Sequence, residues 1–302
     1  MNFPHASKIR PSITPPKLQI GDKVRFVSPA STPDRDAVMQ AAAEVEGWGL
    51  KVDFGDHAFR KTGYLAGTDE ERLSDLNGAL RDPSVRAIIA TRGGKGSYRI
   101  AEQLDFAAAQ NDPKFLVGYS DITALHLSLF QNCGQAGIHG AVGRDSGSLR
   151  KLLMTDENIP VHSSDAEATS VLTTHGTAEG VLIGGNLDMI VTSAGWNLPE
   201  LAGAILVLEA VNAHIGQVDR QLTMLRKAGH LNGLAGIAVG RFIGVDPNSS
   251  DPIMNLLREH FDKLAVPVLG GLPIGHGYQP TSILVGAVAT LDTNRRELVV
   301  CR

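Results

Sequence analysis

The stretch FLVGYSDITALHLSLF, Phe115 to Phe130, joins the two local patterns from which the chain is built. Phe115, Leu116 and Val117 form a short apolar run of the kind that fills a strand buried on both faces. Gly118 and Tyr119 end it. Past Ser120, apolar residues at Ile122, Leu125, Leu129 and Phe130 follow helical spacing, and Asp121 stands in the first turn. Strand, turn and helix therefore meet at Ser120. Two readings fit a serine there. Serine is a favoured helix N-cap. It is also the residue whose hydroxyl a strand-to-helix turn can lift clear of the backbone, beside unpaired N–H groups able to hold an oxyanion. The usual G-x-S-x-G pattern is incomplete, because Ile122 occupies the place of its second glycine.

The same alternation extends upstream. VRFVS (24–28), LKVDF (50–54) and VRAIIAT (85–91) read as strands. Between the first two, Thr32 is expected to cap a helix with Pro33 at its first position. Asp34 and Asp36 sit in the first turn, Ala37, Val38, Ala41, Ala42 and Val45 form its inner stripe, and Gly47 stops it. Thr68-Asp69-Glu70-Glu71 is a capping box, and the helix it opens aligns Leu73, Leu76 and Leu80. After the third strand come the turn Arg92-Gly93-Gly94-Lys95-Gly96 and a helix through Leu104. Strands alternating with helices imply a parallel sheet covered on both faces, with functional loops at the strands' carboxyl ends. Both the RGGKG turn and Ser120 lie at such ends.

The texture changes in the second half. VLIGGN (181–186), AILVLEA (204–210), LAGIAVGRFIG (234–244), SILVGAVATLD (282–292) and ELVVC (297–301) read as strands punctuated by glycine. Helices interrupt them near Gln217–Lys227 and Pro252–Leu264. The fold class is thus α/β, with a β-rich, barrel-like second domain. The expected division is an extended arm over 1–16, an α/β domain over 17–146, a polar connection over 147–180 and the β-rich domain over 181–302.

Bulk properties narrow the function. The chain has 302 residues, 43% of them hydrophobic, and a formal net charge of -4. That suits two domains and gives no basic footprint for nucleic acid. Cys133 and Cys301 are the only cysteines, which fits a reducing compartment rather than a disulfide framework. The N-terminal residues lack the apolar core of a secretory signal, and no run approaches the ~18 apolar residues of a membrane span. A cytoplasmic protein is expected.

A serine nucleophile needs a base, and the base needs an orienting carboxylate. His276 stands between Gly275 and Gly277 in LPIGHGYQPTS, a setting that can present its ring outward. Glu209 closes the apolar run AILVLEA. Taken singly, each also reads as a solvated loop or strand-end residue, but their order, Ser, acid, His, is that of α/β-hydrolases. The RGGKG turn is no Walker loop, because Gly96 follows Lys95 where a hydroxyl is required. It either simply ends a strand or offers the N–H of Gly94 as a second oxyanion donor beside that of Asp121. Arg92 and Lys95 on this turn are candidates to bind a substrate carboxylate, or else solvated charges. No H-E-x-x-H and no cysteine pair supports a metal site.

Five segments in order, RGGKGSYR (92–99), VGYSDITALH (117–126), IGGNLDMI (183–190), LVLEAVNAHIGQVDRQL (206–222) and PIGHG (273–277), resemble the LD-carboxypeptidase family of serine peptidases. That family also contains the microcin C immunity peptidases. The resemblance runs from about Leu18 to Leu298. It implies Ser120 as nucleophile, His276 as general base and Glu209 as its orienting partner. It implies a first domain similar to class I glutamine amidotransferases, a barrel-like second domain and no cofactor. Arg92, Lys95 and Asn186 are expected at the substrate, and a homodimer is expected. The implied reaction cleaves the L,D bond before a C-terminal D-amino acid of murein tetrapeptides. The alternatives are an immunity-type peptidase acting on aminoacyl-nucleotide analogues and a non-catalytic peptide- or anion-binding protein. Lys95 departs from the family, which more often has an aromatic there. Ala141 in Ile138-His139-Gly140-Ala141 stands where HGP is commoner. The chain is short for the longer insertion of microcin-type members, which favours the murein branch.

Overall fold

Two sheets organise the chain, and the computed structural model describes residues 11–144, 147–244 and 251–301. The first is made by β1 (Lys23–Val27), β2 (Lys51–Phe54), β3 (Val85–Ala90), β4 (Phe115–Gly118) and β5 (Gly137–His139). These five are mutually parallel in the order β2-β1-β3-β4-β5. Between and after them run α1 (Arg35–Gly47), α2 (Asp69–Arg81), α3 (Phe106–Asn111), α4 (Thr123–Cys133) and α5 (Ser148–Met154). Every residue of β4 is buried, as its unbroken apolar run predicts. The capping box at Thr68 forms as expected, with Thr68 Oγ1 and Glu71 each accepting the other's backbone N–H.

Two helix starts differ from the sequence reading. Asp34, not Thr32, caps α1: its Oδ1 accepts the N–H of Ala37 at 2.9 Å, while Thr32 Oγ1 donates to Leu65 O at 2.8 Å. Pro33 thus lies before the helix rather than in it. The segment after the glycine turn forms two short 3-10 turns, Ser97–Arg99 and Ala101–Gln103, instead of one helix. Asp121 claims the N–H of Ser97 at 2.7 Å and ties the first of these turns to the loop that follows β4.

The second sheet contains β6 (Pro160–His162), β7 (Thr177–Asn186), β8 (Ile205–Val211), β9 (Gly236–Ile243) and β10 (Val268–Leu269), with α6 (Leu187–Ser193), α7 (Ile215–Lys227) and α8 (Asp251–Asp262) outside it. After them come β11 (Ile283–Val285), β12 (Val288–Asp292) and β13 (Glu297–Val300). The seven strands run in the order β10-β9-β8-β7-β12-β13-β6, parallel from β10 to β7 and antiparallel beyond. Its two ends meet. Ser164 N–H, just past β6, donates to Gly271 O, just past β10, at 2.8 Å. The β-rich second domain is therefore barrel-like.

The domains are laced together. SILVGAVATLD, one apolar run in sequence, serves both sheets: β11 pairs antiparallel with β5, and β12 pairs with β7. Gly286, at φ +85°, makes the turn between them, a conformation that glycine adopts without strain. Residues 147–180, whose polarity suggests a mere connection, contain α5, β6 and the start of β7. Leu149, Leu153, Val161 and Leu172 bury themselves there, too irregularly spaced to show a period. Ile13 pairs beside β5 through Ile13 N–H to Gly134 O at 2.8 Å. Residues 1–10 of the expected arm lie outside the described residues. Helix α4 is buried nearly all round because the second domain covers the face that the first sheet does not: Leu127 and Phe130 share a core with Ile183 and Leu187.

Candidate active site

Ser120 follows β4 with φ +61°, a left-handed conformation that non-glycine residues adopt rarely and mostly at functional turns. Its hydroxyl caps nothing: neither the 3-10 turn Ser120–Ile122 nor α4 receives a side-chain cap. The N-cap role open from sequence is not the one this serine plays. The glycine turn after β3 presses on it from the side. A Cβ on Gly93 would fall 3.0 Å from Ser120 Cβ and 3.3 Å from Asp121 N, a tight approach that a side chain would enter only by displacing its neighbours. Gly94 follows at φ +111°. Below the turn, the buried guanidinium of Arg72 donates to Gly96 O at 2.9 Å and pairs with Asp69. Burial raises the Asp121 carboxyl above the usual range, against the opposing bonds from Ser97.

The acid and base come from the second domain. β8 and β9 shift register between Leu208 and Ala210, where Glu209 stands opposite two residues of β9, Gly240 and Arg241. The Glu209 carboxylate is fully buried. Glu209 Oε2 lies 2.7 Å from His276 Nδ1, and Oε1 accepts Asn186 Nδ2 at 3.0 Å. β7 and β8 set Asn186 directly beside Glu209 in register. Gly275 makes the approach possible: a Cβ there would stand 2.6 Å from Glu209 Oε2, and its φ is +95°. With Nδ1 facing the carboxylate, the imidazole keeps Nε2 for chemistry.

Ser120 and His276 line one cavity of about 930 Å³ between the domains, together with Gly94, Asp121 and Asn186. Arg92 and Lys95 stand exposed on its rim. Arg92 Nη1 donates to Thr32 O at 3.1 Å, and the Lys95 N–H to Ser31 Oγ at 3.1 Å. Asn186, expected at the substrate, spends its amide on Glu209.

Three neighbours carried no sequence signal strong enough to single them out for chemistry. Tyr119 sets its ring 4.9 Å from that of His276. Burial raises its phenol above the usual range, and Arg144 opposes the shift. Arg144 donates to Tyr119 Oη at 3.0 Å and to Gly277 O at 3.3 Å. His139 is buried behind the site without a hydrogen-bond partner at either ring nitrogen among the described residues. Burial pushes it down to about 4, with nearby Glu209 opposing and His276 adding. Among the described residues no group of three or more His, Cys, Asp or Glu could hold a metal ion. No helix there is long and apolar enough to cross a membrane.

Known proteins share this arrangement of two domains. Residues 24–140 match the LD-carboxypeptidase N-terminal domain, and residues 179–291 match the LD-carboxypeptidase C-terminal domain. The chain is 34% identical to the "Probable murein peptide carboxypeptidase" of Bacillus subtilis over 95% of its own length and 93% of the relative's. It is 31% identical to the "Murein tetrapeptide carboxypeptidase" of Pseudomonas aeruginosa over 95% and 98%. The crystal structure of an MccF-like protein from Bacillus anthracis superimposes with a TM-score of 0.86 at 24% identity, covering 96% of this chain and 99% of that one, a likeness of fold. With both domains matched in order and relatives similar along nearly their whole length, the chain belongs to the LD-carboxypeptidase family.

Proposed function

We propose that this serine-type carboxypeptidase hydrolyses the L,D peptide bond before the C-terminal D-amino acid of murein tetrapeptides, in the cytoplasm, through Ser120, His276 and Glu209. The observation that carries the reading is the 2.7 Å contact of His276 Nδ1 with the buried Glu209, in a residue whose ring shares a cavity with the strained Ser120. Ser120 Oγ attacks the scissile carbonyl carbon as His276 Nε2 takes the hydroxyl proton. Glu209 holds the ring in the tautomer with its proton on Nδ1 and stabilises the imidazolium. The oxyanion is held by the N–H groups of Gly94 and Asp121. His276 then gives the proton to the leaving amine, the C–N bond breaks, and the free D-amino acid departs. Water repeats the sequence on the acyl-enzyme, its proton passing through His276 back to Ser120 Oγ.

Asn186 acts by fixing Glu209, and Arg92 and Lys95 offer positive charge to the anionic acyl portion of the peptide. The fit of a peptide into a cavity of about 930 Å³ is comfortable, since ligand sites run from ~300 to ~1,000 Å³. Incubation with a murein tetrapeptide, followed by mass spectrometry, tests the reading. Loss of one C-terminal D-alanine is expected. An intact tetrapeptide, with turnover of an acyl-sulfamoyl adenylate instead, would assign the chain to the immunity type.

A further inference from the structure

Arg144 has a position that the acyl-transfer steps above leave unused. Arginines elsewhere, such as Arg25, Arg72 and Arg241, are neutralised by carboxylates. Arg144 lines the cavity and, among the described residues, bonds only neutral acceptors, Tyr119 Oη and Gly277 O. A guanidinium has five N–H donors in a planar fork, so these two bonds leave donors free for an anion.

Its two anchors bracket the general base. Gly277 is the residue after His276, and the Tyr119 ring stands 4.9 Å from the His276 ring. The imidazole must reach the nitrogen of the leaving amino acid to protonate it. In that amino acid the carboxyl carbon lies only about 2.5 Å from the nitrogen, two bonds away. The carboxylate is therefore carried to the side of the cavity where His276 and its neighbours stand. Arg92 and Lys95 stand on the turn whose Gly93 packs against Ser120 and Asp121, and Arg92, although its charge also reaches Tyr119, turns its guanidinium to Thr32 O.

We propose that Arg144 binds the free α-carboxylate of the leaving amino acid and so restricts the enzyme to C-terminal residues. The inference rests on the acyl-transfer reading of the site. A bidentate pair between guanidinium and carboxylate supplies both charge and orientation.

The test compares a tetrapeptide with a free C-terminus against the same peptide amidated, in wild type, Arg144→Ala and Arg144→Lys. The rate of inactivation by a fluorophosphonate, which has no carboxylate, is measured in parallel. Wild type is expected to prefer the acid by about 10²-fold in kcat/KM, the scale of a lost charged pair. In Arg144→Ala the acid should fall by a similar factor, the acid-to-amide ratio should approach one, and fluorophosphonate inactivation should stay within a few-fold. Added guanidinium should restore turnover of the acid and not of the amide. Arg144→Lys should keep part of the preference, because it retains the charge and loses the fork. An acid-to-amide ratio in Arg144→Ala equal to that of wild type would overturn the assignment. A wild type inert to the fluorophosphonate would instead strike the acyl-transfer reading beneath it.

Discussion

Glu209 Oε2 and His276 Nδ1 lie 2.7 Å apart although 67 positions separate them in the chain, and the carboxylate is fully buried. A buried carboxylate is costly unless bonded, and this one is bonded at both oxygens, by His276 and by Asn186. The pair is built to hold one ring orientation.

Glu209→Gln should therefore lower kcat by orders of magnitude with KM little changed. An amide still reaches the ring, yet it favours the wrong tautomer and cannot stabilise an imidazolium, a change that costs about 10⁴-fold in the serine protease triad. Asn186→Leu removes one hydrogen bond to a charged group, worth ~1.5–3 kcal/mol, and should cost about 10- to 100-fold. Steady-state kinetics on the tetrapeptide checks both. Near-wild-type kcat in Glu209→Gln would remove that residue from the site.

Gly275→Ala should damage activity and stability together. The added methyl would stand 2.6 Å from Glu209 Oε2, at a φ of +95° where an L side chain is strained. Gly216→Ala makes a matched control, because a Cβ there meets nothing within 4 Å. Melting temperature and kcat should both drop in the first variant and hold in the second. Equal behaviour of the two would mean that the Glu209–Gly275 approach is not a tight one.

Ser120→Gly should melt no lower than wild type, against the usual trend for glycine substitutions. A non-glycine residue in the left-handed region carries ~1–2 kcal/mol of strain, which offsets the ~0.5–1 kcal/mol entropic cost of glycine. The expected variant is inactive and as stable or more stable. A melting temperature several degrees lower would show that Ser120 supports the fold through its side chain.

Acid should destabilise the protein through its buried histidines. In the fold, burial holds His139 at about 4 and His126 at about 3, while in the unfolded chain both return to about 6.5. The unfolded state then binds more protons between those values, so their contribution is full above pH ~6.5 and is lost as pH falls toward 4 for His139 and toward 3 for His126. For His139 the loss is of order 3 kcal/mol. Denaturant unfolding at several pH values should show this slope, and His139→Asn should flatten it. An unchanged slope in that variant would mean that His139 is charged in the fold.

The elements that position the site were legible where periodicity is strong. The runs at Val24, Val85 and Phe115 gave strands, and Thr68 gave a capped helix, because each signal is local. The place of Ser120 at a strand-to-helix turn was legible for the same reason. Its φ was not, since serine carries no bias that announces a left-handed turn. Glu209 reads as a strand-end charge in sequence. Its partners in the fold, Asn186 on the neighbouring parallel strand and His276 from a distant loop, are not local properties. Arg144 gave no signal, because its contacts are with Tyr119, distant in the same domain, and with Gly277 in the other domain, and neither is local. SILVGAVATLD misled for a related reason: a single apolar run does not say that Gly286 sends its halves into different sheets.

The central claim is that Ser120 is the nucleophile, and turnover of the tetrapeptide by Ser120→Ala tests it most directly, with the melting temperature taken on the same sample. Removing a serine nucleophile from a triad costs on the order of 10⁶-fold in kcat, and here the hydroxyl supports no cap. The predicted result is release of D-alanine falling below detection, with a melting temperature within a few degrees of wild type. Release within ten-fold of wild type by a folded Ser120→Ala would contradict the account.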